Sequence, residues 1–260
     1  MGRSFNGSSN YLGCGAGSPI PTQLTQMSIS FWLKTSSTGT VEIVSRNYTV
    51  WEVQLTSNSI ALYVNGSSVS PLGVNVVNNN VWRHVLLTYD SGANQTKGYL
   101  DGLLKATVAA GAMPSSANGM EIGRRLADSE YFAGDLAELA FWDRILTAPE
   151  LANMAAGQLA FAYPTGLLGY WPLLGDDSPE PDASAGGNDA TVNGATKSAT
   201  HPPMFVAEVP FVPGADYELQ NLNRANLLSL SDVVFVLQDP TGDPAPKHAT
   251  LAQIKALFGL

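Results

Sequence analysis

Residues 82–108, "WRHVLLTYDSGANQTKGYLDGLLKATV", decide the fold, because they combine strand-like runs with a tight-turn signal. Asp101-Gly102 lies between two segments that are rich in apolar residues. Asp-Gly tolerates the positive φ angles of a two-residue turn, so this pattern predicts a β-hairpin. Residues 60–70, "IALYVNGSSVS", repeat the pattern around Asn65-Gly66 and predict a second hairpin.

Strand-like runs continue on both sides of these hairpins, with Gly, Asn and Ser between them. In residues 27–35, "MSISFWLKT", the apolar side chains of Ile29, Phe31 and Leu33 alternate with others. Such alternation is typical of a strand with one buried face. Because long amphipathic helices and βαβ spacing are both missing from the sequence, we predict an all-β fold, an antiparallel β-sandwich of the jelly-roll type.

One short helix is predicted inside this domain, in residues 146–158, "LTAPELANMAAGQ". Thr147 is a capping residue, and Glu150 follows it at the spacing of a capping box. Pro149 is compatible with the first turn, and Gly157 with the end of the helix.

The composition excludes several classes of partner. The chain has 260 residues, 13% charged, and a formal net charge of −9. An acidic chain without a Lys/Arg cluster does not bind nucleic acid by replacing phosphate counterions. No apolar run approaches the ~20 residues that cross a bilayer, so no membrane association is expected. Cys14 is the only cysteine, which excludes an intrachain disulfide and favours synthesis in a reducing cytoplasm.

A boundary is predicted at residues 201–203, "HPP", where the chain becomes extended and rich in proline. It divides a jelly roll, residues 1–203, from a linker and C-terminal appendage, residues 204–260. The appendage is predicted to contain a strand, residues 232–239, which includes Val234 and Val236.

A helix is predicted at the end of the appendage, in residues 248–260, "HATLAQIKALFGL". Thr250 and Gln253 have the spacing of a capping box. A helix this short is not stable alone in water, so its apolar face needs a packing partner. The residues of that face are Leu251, Ile254, Leu257 and Phe258. We predict that they and the strand residues Val234 and Val236 form an oligomerisation or attachment surface.

Six stretches of the first 200 residues match a known family in that family's order: "RSFNGSSNYLGCG", "MSISFWLKT", "WRHVLLTYD", "GYLDGLL", "FAGDLAELAFWDRILTAPEL" and "GLLGYWPLLGDDSPEPDASAGGNDATVNG". They resemble the laminin-G-like, concanavalin A-like jelly rolls of bacterial and phage proteins. The resemblance implies the fold, whereas the family hosts many functions.

The appendage has its own resemblance, carried by residues 228–258, "LSLSDVVFVLQDPTGDPAPKHATLAQIKALF". This stretch resembles a short module of tailed-bacteriophage structural proteins. The matching positions are Asp232, Val233, Val234, Val236, Lys247, Thr250, Leu251, Gln253, Ile254 and Lys255. The resemblance implies a virion component that forms homo-oligomers, often trimers.

Glycan binding would require aromatic side chains on a loop or an exposed sheet face. The candidates lie in "RNYTVW" and "SEYFAG", which do not alternate cleanly. They are Tyr48, Trp51, Tyr131 and Phe132. The alternative is that these side chains fill the sandwich core or an oligomer interface.

Calcium is the one cofactor that the sequence leaves open, because jelly rolls of this family often bind it through loop oxygens. Residues 175–189, "GDDSPEPDASAGGND", offer Asp176, Asp177 and Asp182, with Glu180 and Asp189 nearby. The alternative is that these side chains cap their own turns. No regular ligand spacing favours a metal site.

Catalytic motifs are missing from the sequence. Glycosidases of this fold need paired carboxylates, and Asp135 and Glu138 would lie on opposite faces of a strand. Glu42 and Glu121 are expected to stand alone, and His84 to be a packed strand residue. We therefore predict a protein that is not an enzyme.

Together these observations predict a structural protein on the surface of a bacteriophage virion. A capsid decoration (cement) protein is favoured, because the chain lacks the long repetitive shaft of a tail fibre. Its expected partners are further copies of itself and phage capsid or tail proteins. The alternatives are a tail-fibre or baseplate component, or a carbohydrate-binding module that recognises host surface glycans.

Overall fold

The structure is a computed structural model of the chain, which divides into two compact units, residues 1–204 and 205–260. In the first unit it describes residues 2–15, 20, 22–47, 50–56, 59–69, 77, 79–125, 130–175 and 177–204. In the second unit it describes the backbone of residues 236–237 and 247–248.

The first unit consists of fifteen strands and one α-helix within the described residues. The strands are β1 Arg3–Asn6, β2 Tyr11–Gly13, β3 Gln26–Lys34, β4 Val41–Ser45, β5 Trp51–Thr56, β6 Ser59–Val64, β7 Ser67–Val69, β8 Arg83–Asp90, β9 Gln95–Leu100, β10 Leu103–Ala109, β11 Glu121–Ile122, β12 Ala133–Trp142, β13 Leu167–Trp171, β14 Thr191–Asn193 and β15 Thr196–Lys197. The helix, α1, spans Ala148–Ala155 and is followed by a 3₁₀ turn at Ala160–Ala162.

Two antiparallel sheets form a sandwich, which confirms the predicted fold class. The first sheet has the order β10-β9-β8-β3-β12-β1-β15, with β13 paired to β12. The second sheet has the order β14-β2-β11-β4-β5-β6-β7. Both predicted hairpin turns are present, β6–β7 at Asn65-Gly66 and β9–β10 at Asp101-Gly102. All four turn residues have positive φ, the requirement that Asn-Gly and Asp-Gly meet most readily.

The core lies between the sheets and is built from alternate side chains of their strands. On β3, Ile29, Phe31 and Leu33 point into it and are at most 1% exposed. The rings of Trp51 and Trp171, from opposite sheets, both contact that of Phe141, with centroids 5.5 and 6.1 Å away. Edge-to-face and tilted contacts of this kind stabilise a core beyond simple burial of area.

Helix α1 forms where the capping pattern predicts a helix, and it covers the outer face of the first sheet. The carboxylate of Glu150 accepts a hydrogen bond from the backbone N–H of Thr147 at 2.6 Å. Leu151 and Met154 are buried against a second apolar cluster that includes Leu86 and Trp142. No helix among the described residues is long and apolar enough to cross a membrane.

A buried ion pair holds the segment after β13 to the first strand. The Arg3 Nε atom donates to Glu180 Oε2 at 2.8 Å, and both side chains are at most 2% exposed. The Arg3 guanidinium also donates to the backbone carbonyls of Ala195 and Asp177, at 3.1 and 2.6 Å. The other carboxylate oxygen of Glu180 accepts from the Leu174 N–H at 3.0 Å. Two chain regions far apart in sequence are therefore joined at the edge of the first sheet.

The second unit contains a two-stranded antiparallel pairing of β16, Val236–Leu237, with β17, Lys247–His248. Val236 thus belongs to a strand, as the sequence predicts. The remaining predicted attachment residues, Val234, Leu251, Ile254, Leu257 and Phe258, lie outside the described residues. The predicted C-terminal helix and its oligomer surface stay predictions.

Replacing Arg3 by Met should lower the free energy of unfolding by about 3–5 kcal/mol, because it leaves Glu180 buried without its cation. Chemical denaturation followed by tryptophan fluorescence measures the change. The matched control is Arg83→Met, which breaks the half-exposed pair with Asp101 and should cost at most about 1 kcal/mol. Equal losses in the two variants would show that the buried pair does not anchor this segment.

Candidate functional site

The outer face of the second sheet carries an unusual number of charged side chains. On β5, Trp51, Val53 and Leu55 point into the core, so Glu52 and Gln54 point outward. Opposite them, Glu42 of β4 pairs with Gln54, and Tyr63 of β6 pairs with Glu52. Glu121 of β11 follows the same alternation, because its neighbour Ile122 belongs to the core.

The segment that connects β11 to β12 lies beside β4 on this face. The N–H of Gly123 donates to the Ile43 carbonyl at 2.8 Å, and the N–H of Phe132 donates to the Gly123 carbonyl at 2.9 Å. Gly123 has φ +84°, and a Cβ atom there would lie 2.5 Å from the ring of Phe5. Both the backbone angle and the space therefore require glycine. This turn brings Arg124, Arg125 and the returning residues of the segment onto the sheet.

Arg125 gathers three carboxylates. It forms a bidentate ion pair with Glu52, with Nε–Oε2 and Nη2–Oε1 distances of 3.0 and 2.9 Å. Its Nη2 atom also lies 2.9 Å from Glu130 Oε2 and 3.6 Å from Glu42 Oε2. Gln54 Nε2 donates to Glu130 Oε2 at 3.1 Å, which links the same groups from β5. Glu42 and Glu52 are fully buried, whereas Glu130 is 30% exposed.

Glu42 is the least satisfied member of this cluster. Burial raises the pKa of its carboxyl well above the ordinary value, and the charges of Glu52 and Glu130 act in the same direction. Arg125 opposes them only in part. The Glu42 Oε1 atom has no hydrogen-bond partner. A protonated Glu42 is the state that this environment favours.

Arg124 lies beside this cluster and between two tyrosines. Its guanidinium carbon is 3.6 Å from the ring centroid of Tyr11 and 5.7 Å from that of Tyr131. Its Nη1 atom donates to the Tyr131 hydroxyl at 3.3 Å. Glu121 holds the guanidinium in a bidentate pair, with Nε–Oε2 and Nη2–Oε1 distances of 2.8 and 2.6 Å. The arginine is thus fixed in orientation by groups on two sides.

We call this surface the tyrosine face, defined by Tyr11, Tyr63 and Tyr131 around Arg124 and Arg125. All three tyrosines are half-buried, so each ring combines a packed part with a part in contact with solvent. Tyr11 lies on β2 and Tyr63 on β6, four strand steps apart in the sheet. At ~4.8 Å a step, the face is about 19 Å wide.

Of the three aromatic candidates that the structure describes, one lies on this face. Tyr131 is part of it, and Tyr48 lies outside the described residues. Trp51 and Phe132 are both 0% exposed. Trp51 packs on Phe141, and the ring of Phe132 packs edge-on against Phe5. These two assignments are corrected: both rings fill the core, Trp51 because the alternation of β5 turns it inward and Phe132 because it packs on Phe5 just before β12.

Four residues of this face were not among the site residues predicted from the sequence: Tyr11, Tyr63, Arg124 and Arg125. Tyr63 and its cross-strand neighbour Glu52 were detectable from the alternation within their strands. The approach of Arg124 to Tyr11 was not, because it depends on the pairing of β2 with β11.

The calcium candidates are engaged in holding their own loop. Asp182 Oδ1 accepts from the N–H groups of Tyr170 and Ser184, both at 2.9 Å. Its Oδ2 atom accepts from the backbone and side chain of Asn188, both at 3.0 Å. Asp189 Oδ1 in turn accepts from the Asp182 N–H at 2.9 Å. These contacts fit the alternative, turn-capping interpretation of the sequence.

The other acidic residues of this loop lie in different environments. Asp177 is exposed and Glu180 is buried on Arg3, whereas Asp176 lies outside the described residues. Within the part of the chain that the structure describes, no three acidic, histidine or cysteine side chains are placed to hold a metal. Calcium binding stays an untested prediction.

The carboxylates considered for catalysis are also engaged with protein partners. Asp135 lies 3.5 Å from Lys34 Nζ. Glu138 lies at a β-bulge of β12 with φ +55° and accepts a hydrogen bond from the Tyr170 hydroxyl. Glu42 shares Arg125 with Glu52 and Glu130, whereas Glu121 pairs with Arg124. His84 is buried and its Nε2 atom lies 2.8 Å from the Ser30 hydroxyl, as expected of a packed strand residue.

The comparisons with known proteins agree with this architecture. A family model for the concanavalin A-like lectin/glucanases superfamily matches residues 6–152, more than half of the chain. The chain therefore belongs to this superfamily.

Two solved structures resemble the fold. A proposed carbohydrate-binding protein from Bacteroides ovatus is 20% identical with a TM-score of 0.65, over 78% of this chain and 61% of that one. A heptameric SAP-like pentraxin from Limulus polyphemus is 20% identical with a TM-score of 0.47, over 59% of this chain and 81% of that one.

One curated relative matches part of the chain. It is the rat (Rattus norvegicus) sushi, von Willebrand factor type A, EGF and pentraxin domain-containing protein 1, 27% identical over 109 residues. The match covers 38% of this chain but spans only 3% of the rat protein.

Glu138 should make stability fall as the pH rises. Burial raises the pKa of Glu138 to about 7 from its ordinary 4.5, although the Tyr170 hydrogen bond acts in the opposite direction. Between these values the folded protein keeps a proton that the unfolded chain has lost. The free energy of unfolding should therefore decrease by about 1.4 kcal/mol per pH unit from this group.

Denaturant unfolding of wild type and Glu138→Gln from pH 4.5 to 8 measures this contribution. Since the amide does not titrate, the advantage of Glu138→Gln over wild type should grow up to pH 7 and then level off. A difference that is constant with pH would show that Glu138 is already ionised in the fold at low pH.

Proposed function

We propose that the jelly roll is a non-enzymatic glycan-binding domain and that the tyrosine face holds the sugar. The observation that carries this proposal is the placement of Tyr11, Tyr63 and Tyr131 around two orientationally fixed arginines. A tyrosine ring offers apolar area to the C–H groups of a sugar and a hydroxyl for hydrogen bonding. Because the side chains are held by packing and ion pairs, little order is lost on binding.

The dimensions of the face also support a glycan ligand. Tyrosines spread over about 19 Å can contact more than one sugar ring of an oligosaccharide. Membership of a superfamily that includes lectins agrees with this proposal. The Bacteroides ovatus protein, which shares the fold, is itself described as a proposed carbohydrate-binding protein.

Burial argues for binding without hydrolysis. A glycosidase needs two carboxyl groups that both reach the scissile bond. Glu42 and Glu52 are fully buried beneath Arg125, and Glu138 is 5% exposed and engaged by Tyr170. A sugar on the tyrosine face would not contact these carboxylates.

We further propose that the chain displays this domain on a bacteriophage virion. The support is the resemblance of residues 228–258 to a phage structural module. The pairing of Val236–Leu237 with Lys247–His248 fits the strand-and-turn order of that module. In this proposal the appendage forms homo-oligomers, specifically trimers, and attaches the protein to the capsid as a decoration protein. A tail-fibre or baseplate position is the alternative location.

Removal of single rings should weaken glycan binding. A glycan array identifies a ligand, and calorimetry then compares wild type with Tyr63→Ala and Tyr131→Ala. Each variant should lose about two- to tenfold in affinity, because an aromatic contact contributes about 0.5–1.5 kcal/mol. The matched control is Phe161→Ala, an aromatic residue that is 48% exposed and lies outside the tyrosine face. An empty array, or tyrosine variants that bind as wild type does, would reject the proposed site.

Two acidic substitutions test the appendage. Leu251→Asp with Ile254→Asp in the full chain should abolish oligomers, because burying an unpaired carboxylate in an interface is costly. Light scattering measures the oligomeric state, and binding to purified phage particles measures attachment. The matched control is Ala252→Asp, outside the predicted apolar face, which should retain both properties. An unchanged oligomer and undiminished particle binding in the double variant would contradict the attachment role.

A further inference from the structure

We infer that the tyrosine face selects uncharged glycans and rejects those that carry carboxylate or sulfate groups. This inference deepens the proposed function and rests on it. It follows from how the charged groups of the face are already paired.

Both arginines of the face already donate hydrogen bonds to glutamates through their Nε and Nη2 groups. Arg124 holds Glu121 through two N–H···O contacts of 2.8 and 2.6 Å. Arg125 holds Glu52 through two contacts of 3.0 and 2.9 Å, and it also contacts Glu130. Bidentate pairing with a carboxylate uses the same planar edge that would recognise an acidic sugar. An anionic ligand would have to compete with these glutamates.

That competition is unfavourable because the glutamates are buried and would not become solvated if they lost their arginine partners. Glu52 is 0% exposed and Glu121 is 9% exposed. An acidic sugar that displaced either one would leave a carboxylate buried without its cation, which costs more than an exposed pair gains. The existing pairs are therefore the stable arrangement in the presence of an anion.

The described arginines elsewhere in the chain are also paired. Every described arginine has an acceptor of its own: Arg3 with Glu180, Arg46 with the Ile20 carbonyl, Arg83 with Asp101, Arg124 with Glu121, Arg125 with Glu52 and Arg144 with Glu150.

The charge near the face and the net charge of the whole chain both disfavour anionic glycans. Among the described residues, Glu52, Glu121 and Glu130 lie on or under the face with two arginines, and the fourth glutamate there, Glu42, favours its protonated form. The chain as a whole carries a formal net charge of −9. Both fields repel anions, whereas a neutral sugar meets tyrosine rings and hydrogen-bonding groups without a charge penalty.

The test is an array that carries the same oligosaccharides in uncharged form and with added sialic acid, uronic acid or sulfate, probed with the full chain. We expect retention of uncharged glycans only, with affinities that change less than about twofold between 50 and 500 mM NaCl, because no ion pair forms. Retention of the acidic forms in preference would overturn this inference and leave the proposed function standing. Retention of neither form would overturn the proposed function and this inference with it.

Glu121→Gln provides a gain-of-binding test at the same site. The amide keeps the shape of the side chain but releases the charge of Arg124, so affinity for the acidic glycans should rise by about tenfold or more. The matched control is Glu150→Gln, which releases Arg144 beside helix α1 and should leave glycan selectivity unchanged. Thermal melting verifies that both variants fold. A folded Glu121→Gln variant with wild-type selectivity would show that the paired arginines do not set the preference.

Discussion

Glu52 is a carboxylate in a fully buried position on a central strand, and the outer face of the second sheet depends on how its charge is compensated. Arg125 supplies the compensation through a bidentate pair. Because this arginine belongs to the segment between β11 and β12, the ion pair also holds that segment against the sheet. Arg124 and Tyr131 belong to the same segment and contact each other.

The same pairing gives the face its chemical character. Arginines that are exposed and unpaired recognise anions, whereas these two already bind glutamates, and Arg124 also contacts Tyr11 and Tyr131. Recognition is then left to aromatic rings and hydrogen-bonding groups, which suit uncharged sugars. Buried ion pairs contribute little net stability when compared with apolar packing, but they are strongly directional. In this protein their main physical effect is to fix geometry.

Much of the fold could be predicted because its signals are local. The alternation of Ile29, Phe31 and Leu33, and the turn dipeptides Asn65-Gly66 and Asp101-Gly102, act within one strand or one turn. The site was harder to predict from the sequence, since Tyr131 was the only glycan-binding candidate that the structure places on the tyrosine face. Trp51 and Phe132 were wrongly assigned to the surface. The sequence around an aromatic residue next to an irregular loop looks the same whether its side chain points inward or outward. The tertiary contacts of the neighbouring strands decide its direction.

By itself, then, the sequence determined the strands, the hairpins, the capped helix α1 and the two-sheet class, because backbone angles and the period-2 burial pattern are properties of short segments. Only the tertiary structure decided which polar side chains meet. Glu42, Glu52 and Arg125 come from separate parts of the chain, and their approach depends on the strand order of the second sheet. Charge pairing across such distances has no local sequence signal, because any glutamate could find any arginine until the fold brings a particular pair within hydrogen-bonding distance.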